Sequence, residues 1–226
     1  MVAATREREA ELVALCVDAP ADPSGHWNAK DHLAHLTAWR NRGADLLEAV
    51  RTGGVPPEKV ESDDAQNAKI YAATRDRSLE EVKREARASW EKLTAVIEAC
   101  SETDLNKPHP HSPGNSIWEN VPGLAGHLGT HLMWWYLETS NPDAAEAAQI
   151  WARDVEHAAN PSPRERAITT YNLACFYSRV GNIEAALPLL RESFEQNPEL
   201  AEWAGKDPDL DPIRDRAEFG ALLAPG

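Results

Sequence analysis

The chain has 226 residues, of which 42% are hydrophobic and 27% charged, a composition typical of folded globular proteins rather than disordered ones. Its formal net charge of -14 argues against a nucleic-acid partner and against binding to anionic membranes, because both need a basic face. It has no apolar run of about 18 residues, and its charged N-terminus lacks the apolar core of a secretory signal. We therefore expect a cytoplasmic protein with no membrane segment, whose three cysteines are reduced.

The predicted secondary structure is all-α, because alanine, leucine and glutamate dominate and alternating β-branched runs are absent. Helices are predicted over 3–18, from Asn28 to the TGGVPP segment, over 62–75, from the Ser78–Glu81 capping box to Cys100, and over 117–139. The proline-rich segment 106–116 is predicted to be a loop. A second capping box at Ser116–Glu119 begins the last helix, and Pro122 is expected to bend or restart it. The four longer helices, without the shorter one at 62–75, predict a four-helix bundle within residues 1–141.

The helical pattern changes after the TSNPDAA segment, which predicts a boundary between one domain at 1–141 and another at 142–226. Residues 167–200 resemble one tetratricopeptide repeat, whose pattern positions hold Leu173, Ala174, Tyr177, Gly181, Ala186 and Pro198. Thr170 stands where that repeat usually has tryptophan, and Leu190 stands at a late aromatic position. A single repeat cannot bury both its faces, so the flanking segments 144–159 and 200–223 are expected to complete a short stack of helical hairpins.

The segment GHLGTHLMWWY, residues 126–136, contains the first candidate metal ligands. His127 and His131 are four residues apart, so they share one face of a helix with Cβ atoms about 5–6 Å apart. Two imidazoles so placed are either half of a metal site or two core histidines. A third ligand would have to come from another helix. His32 and His35 both fall on the apolar side of the helix that begins near Asn28, and their spacing does not choose between them.

The run Trp27…Lys30-Asp31-x-Leu33-Ala34-His35-Leu36-Thr37-Ala38-Trp39 resembles the second helix of DinB-like bundles, especially those of the ClbS/DfsB branch. In that superfamily this histidine joins a His-x-x-x-His or Glu-x-x-x-His pair on the fourth helix to bind a divalent metal. The resemblance covers about residues 1–140, is carried by two short motifs, and implies the ligands His35, His127 and His131. His32 stands where the family usually has an apolar residue, which leaves it as a fourth ligand or a base near the site.

Three neutral histidines leave coordination positions open for water or substrate, and imidazole ligands suit zinc or nickel. The resemblance implies a metal-dependent enzyme that acts on a small electrophile in detoxification or resistance. Such an enzyme is either a hydrolase or an S-transferase that uses a low-molecular-weight thiol. No catalytic residue is assigned. The oligomeric state stays open, because DinB-like bundles often form homodimers whereas the C-terminal module could cover that surface.

A different class of function stays open, in which the C-terminal repeat docks a peptide or protein partner and the metal site is vestigial or structural. His109 and His111 either form a lid or lie in a solvated loop, with the loop favoured. His26 is expected at a helix entry and His157 at the surface. The tryptophans near the motifs, expected in the core or lining a pocket, are Trp39, Trp118, Trp134 and Trp135.

Overall fold

The computed structural model describes residues 1–19, 22, 25–117, 124–160 and 162–223. The chain forms two compact units, Val2–Leu124 and Ala125–Gly226, with Met1 grouped with the second. The fold is all-α, as predicted, and the described residues include one small two-stranded sheet. None of the described helices is long and apolar enough to cross a membrane. The domain boundary between residues 141 and 142 stays a prediction.

The first unit contains α1 (Val2–Leu15), α2 (Ala29–Thr52), α3 (Asp63–Thr74), α4 (Leu79–Ala99), α5 (Glu102–Leu105), β1 (Pro108–His109) and β2 (Ser112–Ser116). The second contains α6 (Leu124–Glu138), α7 (Pro142–Ala159), α8 (Pro163–Arg179), α9 (Ile183–Gln196), α10 (Glu199–Ala204), a 3₁₀ helix (Pro208–Ile213) and α11 (Ala217–Leu223). Helix α6 corresponds to the predicted fourth bundle helix. Residues 118–123, with Pro122 and most of the predicted Ser116–Glu119 capping box, lie outside the described residues.

Helix α2 begins where the sequence predicts it, because Asn28 and Asp31 cap its first turn reciprocally. Asn28 Oδ1 accepts a hydrogen bond from the Asp31 N–H at 3.1 Å, and Asp31 Oδ2 accepts one from the Asn28 N–H at 3.0 Å. The buried Lys30 side chain donates from Nζ to the Arg77 carbonyl oxygen at 2.9 Å. These contacts hold the start of α2, about one turn before His35, against the turn between α3 and α4.

Helix α4 presents the apolar face that its periodicity predicts. Ser78 and Glu81 form the expected capping box, in which the Ser78 N–H donates to Glu81 Oε2 at 2.9 Å. The buried apolar residues of α4 follow helical spacing: Val82, Ala86, Trp90 and Leu93. This face packs against α2 and forms the centre of the first unit.

The proline-rich segment 106–116 contains a short antiparallel hairpin where the sequence predicts only a loop. Strands β1 and β2 pair with His109 opposite Ser112. Just beyond them, the Ile117 N–H donates to the Lys107 carbonyl oxygen at 2.9 Å, and the Ile117 side chain is buried. Burial of Ile117 in the core of this unit is a long-range contact, so the local sequence pattern does not predict the hairpin.

In the second unit, helices α8 and α9 form a hairpin at the segment that resembles a repeat. Gly181, between the two helices, has φ 79°, a left-handed conformation that favours glycine. Ala174 and Ala186 are fully buried, and their small side chains allow the helices to approach closely. Helix α9 ends at Gln196, just before Pro198, as the pattern predicts.

A buried ion pair links three helices of the first unit. Glu9 of α1 forms a salt bridge with Arg40 of α2, and their side chains are 4% and 3% exposed. Arg40 also donates to Ser89 Oγ at 2.8 Å, and its guanidinium lies 3.7 Å from the centroid of the Trp90 ring on α4. Trp90 Nε1–H donates to the Glu9 carboxylate at 2.7 Å. Each buried charge therefore has an opposite charge and additional hydrogen-bonding groups.

We predict that Arg40→Met lowers the free energy of unfolding by about 3–5 kcal/mol, because it leaves the Glu9 carboxylate buried without its cation. The double variant Glu9→Met/Arg40→Met should be more stable than this single variant, because it removes both charges. As a control, Lys92→Met breaks the exposed Lys92–Asp45 ion pair and should change the free energy by less than about 1 kcal/mol. Urea unfolding at pH 7.5 measures all three, and equal losses for Arg40→Met and Lys92→Met would contradict the prediction.

Candidate metal centre

His32 and His35 both lie on the buried side of α2, each 3% exposed. The centroid of the Trp27 ring lies 5.0 Å from that of His35 and 5.5 Å from that of His32. Trp27 also stacks on Tyr71, with ring centroids 5.7 Å apart. Trp39 lies 6.3 Å from His35, measured between ring centroids. Aromatic rings therefore pack around the His35 imidazole and limit its access to water.

Burial controls the protonation of both histidines. It lowers the pKa of His35 to about 4. Burial also lowers the pKa of His32 to about 4, with a smaller contribution from the neighbouring His35. Both imidazoles are therefore neutral near pH 7. A neutral imidazole keeps the nitrogen lone pair with which histidine binds a metal ion.

The two histidines of α6 are in direct contact. Their Nε2 atoms lie 3.1 Å apart, and one of these nitrogens donates a hydrogen bond to the other. Two nitrogen ligands at about 2.0–2.1 Å from one ion lie about 2.8–3.4 Å apart, for coordination angles from octahedral to tetrahedral. His127 and His131 therefore have the separation expected of two ligands of one metal ion. The Trp134 ring packs edge-on against His131, with centroids 5.1 Å apart.

Two glycines determine how closely α6 packs against its neighbours in the second unit. A Cβ atom on Gly129 would lie 2.5 Å from the Ala152 Cβ of α7, and one on Gly126 would lie 2.9 Å from the Thr169 Cγ2 of α8. Both distances are shorter than a normal contact, so a larger residue would push α6 away. The two glycines share one face of α6, and helical geometry puts the histidine pair on nearly the opposite face.

His35, His127 and His131 each offer one ligand atom within 4.8 Å of those of the other two, so this group could hold a metal ion. The group contains the three histidines that the family resemblance implies. His32 is not part of it within the described residues.

The remaining histidines with contacts have structural roles. His111 donates from Nε2 to the Pro57 carbonyl oxygen at 2.7 Å, and its N–H donates to His109 Nδ1 at 3.2 Å. These bonds tie the hairpin to the segment between α2 and α3, whereas the favoured prediction is a solvated loop. His157 is half-buried, with Nε2 3.0 Å from Thr170 Oγ1, where the sequence predicts a surface residue.

Two of the tryptophans predicted near the motifs lie beside ligand histidines, Trp39 next to His35 and Trp134 next to His131. Trp135 is half-buried, and Trp118 lies outside the described residues.

Glu156 of α7 is a buried acid that no sequence motif indicated. It is 2% exposed, and its carboxylate accepts hydrogen bonds from the backbone N–H groups of Gly126 and Ala125 in the first turn of α6, while its Oε1 atom has no hydrogen-bond partner among the described residues. Burial raises the pKa of Glu156 to about 7, and the hydrogen bonds oppose this rise. The signal was its position four residues after Ala152, on the buried face of α7. An acid at a core position of a helix calls for a partner.

Comparison with known proteins identifies the family of the chain. Residues 4–134, more than half of the chain, match the sequence profile of the DinB superfamily. A segment of 63 residues is 35% identical to part of a chloroplastic protein from Arabidopsis thaliana. This segment is 28% of the present chain and only 19% of that relative, well below two thirds of its length. No solved structure matches the chain significantly.

The low pKa of His32 and His35 predicts a loss of stability in acid. Their folded-state pKa of about 4 lies below the unfolded value of about 6.5, so the unfolded chain binds more protons between these values. Stability should therefore fall as pH drops from about 6.5 towards 4, by about 1 kcal/mol per histidine at pH 5.5. Urea unfolding of metal-stripped protein in EDTA at pH 7.5 and 5.5 measures the loss.

The variants His32→Gln and His35→Gln should each lose less stability than wild type between these two pH values. His26→Gln is the matched control, because His26 is exposed, and it should behave as wild type. An identical pH dependence in all four proteins would show that neither buried histidine is held neutral by folding.

Proposed function

Since the chain belongs to the DinB superfamily, we propose that His35, His127 and His131 bind one divalent metal ion, zinc or nickel, at a site that acts on a small electrophile. The observation that carries this proposal is the group of three imidazoles whose ligand atoms lie within 4.8 Å of one another. Within this group, the 3.1 Å separation of the two Nε2 atoms on α6 supports the proposal further, because it matches two ligands of one ion.

The chemistry of the donors also supports the proposal. Three uncharged imidazoles suit zinc or nickel better than calcium or magnesium, which prefer oxygen ligands. A divalent ion with three protein ligands has an open position, where it supplies Lewis acidity and lowers the pKa of a bound water or thiol. Trp27 and Trp39 contribute a dry, apolar border beside His35, which strengthens electrostatic interactions in the site.

We further propose that the chain lies in the ClbS/DfsB-like branch, on the strength of the run from Lys30 to Trp39. The reaction is then attack on a small, reactive electrophile, either by water, as in a hydrolase, or by a low-molecular-weight thiol, as in an S-transferase. Both reactions need the same two features of the protein. These are neutral nitrogen ligands and a border that excludes bulk water.

The second unit favours a second candidate function, the docking of a protein partner by a tetratricopeptide-like module. The observation behind it is the hairpin of α8 and α9, in which Ala174 and Ala186 are fully buried and Gly181 forms the turn. These residues occupy pattern positions of that repeat. A protein that only docks a partner needs no metal-dependent turnover, even if it keeps a structural metal ion, so catalysis separates the two candidates.

We predict that zinc and nickel bind the full-length, untagged and metal-stripped protein at micromolar concentration or tighter. His35→Ala, His127→Ala and His131→Ala should each weaken binding by more than about 100-fold, because each removes a ligand and not merely a residue that orients one. His32→Ala should have a smaller effect. Calorimetric titration at pH 7.5 gives the affinities. Thermal melts should show stabilisation of about 2.7 kcal/mol when free metal is 100 times its Kd.

His109→Ala and His111→Ala are the control variants, because their contacts are with the hairpin and Pro57, and both should bind metal as wild type does. The proposed site is wrong if wild type binds neither ion at micromolar concentration. It is equally wrong if His127→Ala or His131→Ala keeps the affinity of wild type.

Catalysis is tested separately with generic strained-ring electrophiles, offered with and without a low-molecular-weight thiol. The zinc- or nickel-loaded protein should accelerate ring opening, and both EDTA and His127→Ala should abolish the acceleration. Dependence on the thiol distinguishes the S-transferase from the hydrolase. A loaded protein that binds metal tightly but turns over no electrophile in either arm would leave the docking function as the better candidate.

A further inference from the structure

Helix α6 is held by helices of the C-terminal half along much of its length. Its first turn donates two backbone N–H groups to Glu156 of α7. Further along, Gly129 lies against Ala152 of α7. Asn172 of α8 donates from Nδ2 to Thr130 Oγ1 at 3.4 Å. The helix with the histidine pair is therefore seated on α7 and α8, although the family match that includes this pair ends at residue 134.

Among these contacts, burial of the Glu156 carboxylate has the largest free-energy cost. A carboxylate that is 2% exposed loses its hydration, and burial of such a group is unfavourable unless hydrogen-bond donors replace the water. The donors here are the N–H groups of Gly126 and Ala125, at the positive end of the α6 dipole. A leucine would fill the same space without the electrostatic cost. The polar side chain therefore acts through these two hydrogen bonds rather than through packing alone.

We propose that Glu156 is a positioning residue of the metal site, which fixes the first turn of α6 and thereby the positions of His127 and His131. This inference rests on the proposed metal-binding function. Helices C-terminal to residue 141 then help to position the metal ligands, whereas the sequence motifs place the whole site within residues 1–141.

The physical reason is the narrow tolerance of metal ligands. His127 directly follows Gly126, whose N–H is held by Glu156. Ligand distances in a working site vary by only about 0.2 Å, whereas one residue of helix rises about 1.5 Å. Loss of the acceptor leaves two buried N–H groups unsatisfied, so the first turn must shift or fray to reach other partners. A small shift of this turn moves His127 relative to His131 and degrades their common geometry.

The test compares four variants of the full-length protein: Glu156→Leu, Glu156→Asp, Glu156→Gln and Asp154→Asn. Glu156→Leu removes the carboxylate that accepts the hydrogen bonds, and Glu156→Asp shortens the side chain that carries it by one methylene group. The glutamine keeps a carbonyl oxygen that can accept from both N–H groups. Asp154 is exposed on the same helix, so Asp154→Asn controls for the loss of one negative charge from α7. Zinc affinity is measured by competition with a chelating dye at pH 7.5, at a temperature where circular dichroism shows folded protein.

We expect Glu156→Leu to weaken zinc binding roughly 10-fold to 100-fold, as is typical when a group that orients a ligand is lost. Glu156→Asp should weaken it by a smaller factor. Glu156→Gln and Asp154→Asn should stay within about threefold of wild type. The visible absorption of bound Co²⁺ should change in the leucine and aspartate variants, because the ligand geometry changes. A purely structural role would lower the melting temperature and leave both the zinc affinity and this spectrum unaltered.

The inference is overturned if folded Glu156→Leu and Glu156→Asp bind zinc with the affinity of wild type. If Glu156→Leu does not fold, Glu156→Asp decides the question by the same comparison. Failure of the proposed function gives a different result, since wild type itself would then bind no zinc. Wild-type binding with unaffected Glu156 variants would reject only the positioning role.

Discussion

Helix α6, with 15 residues, packs closely against α7 and α8 on one face and carries the histidine pair on another. The close packing fixes the position of the helix, and the positions of the two histidines depend on it. On one face, Gly126 and Gly129 leave no Cβ atom where Thr169 and Ala152 approach. On nearly the opposite face, two imidazoles meet with their Nε2 atoms 3.1 Å apart. A side chain at Gly129 would meet the Ala152 Cβ at 2.5 Å and the Ala148 carbonyl oxygen at 3.1 Å and would displace the helix, so the position of the histidine pair depends on this close contact.

The candidate metal ligands are uncharged although the chain is strongly acidic. The chain carries a formal net charge of -14, yet the three candidate ligands are all imidazoles rather than carboxylates. The buried acids among the described residues each have other partners. Glu9 pairs with Arg40 and Trp90, and Asp31 accepts from the Asn28 N–H. Glu156 accepts from backbone N–H groups, and Asp207 accepts from the Tyr171 hydroxyl. Burial keeps the His35 imidazole neutral, because it lowers its pKa to about 4. The candidate ligand set is therefore made of uncharged nitrogen donors, in a protein with a strongly negative net charge.

Local signals in the sequence were sufficient for most of the helices. The Asn28–Asp31 and Ser78–Glu81 capping boxes act within four residues, so the starts of α2 and α4 were predictable from sequence. The β hairpin in segment 106–116 was not, because it depends on burial of Ile117 in a distant core. The half-buried position of His157 depends on the approach of α8 through Thr170, a contact that helical periodicity does not report.

The sequence by itself determined the all-α class, the superfamily motif around His35, and the shared face of His127 and His131. It did so because helical period and capping are properties of neighbouring residues. The tertiary structure alone decided how α6 packs, because it seated α6 on α7 and α8 with Glu156 at its first turn. The choice of His35 over His32 came from the family motif, and the group of three histidines agrees with it. Periodicity assigns a residue to a face of its own helix, whereas the distance between residues on different helices depends on how the helices pack.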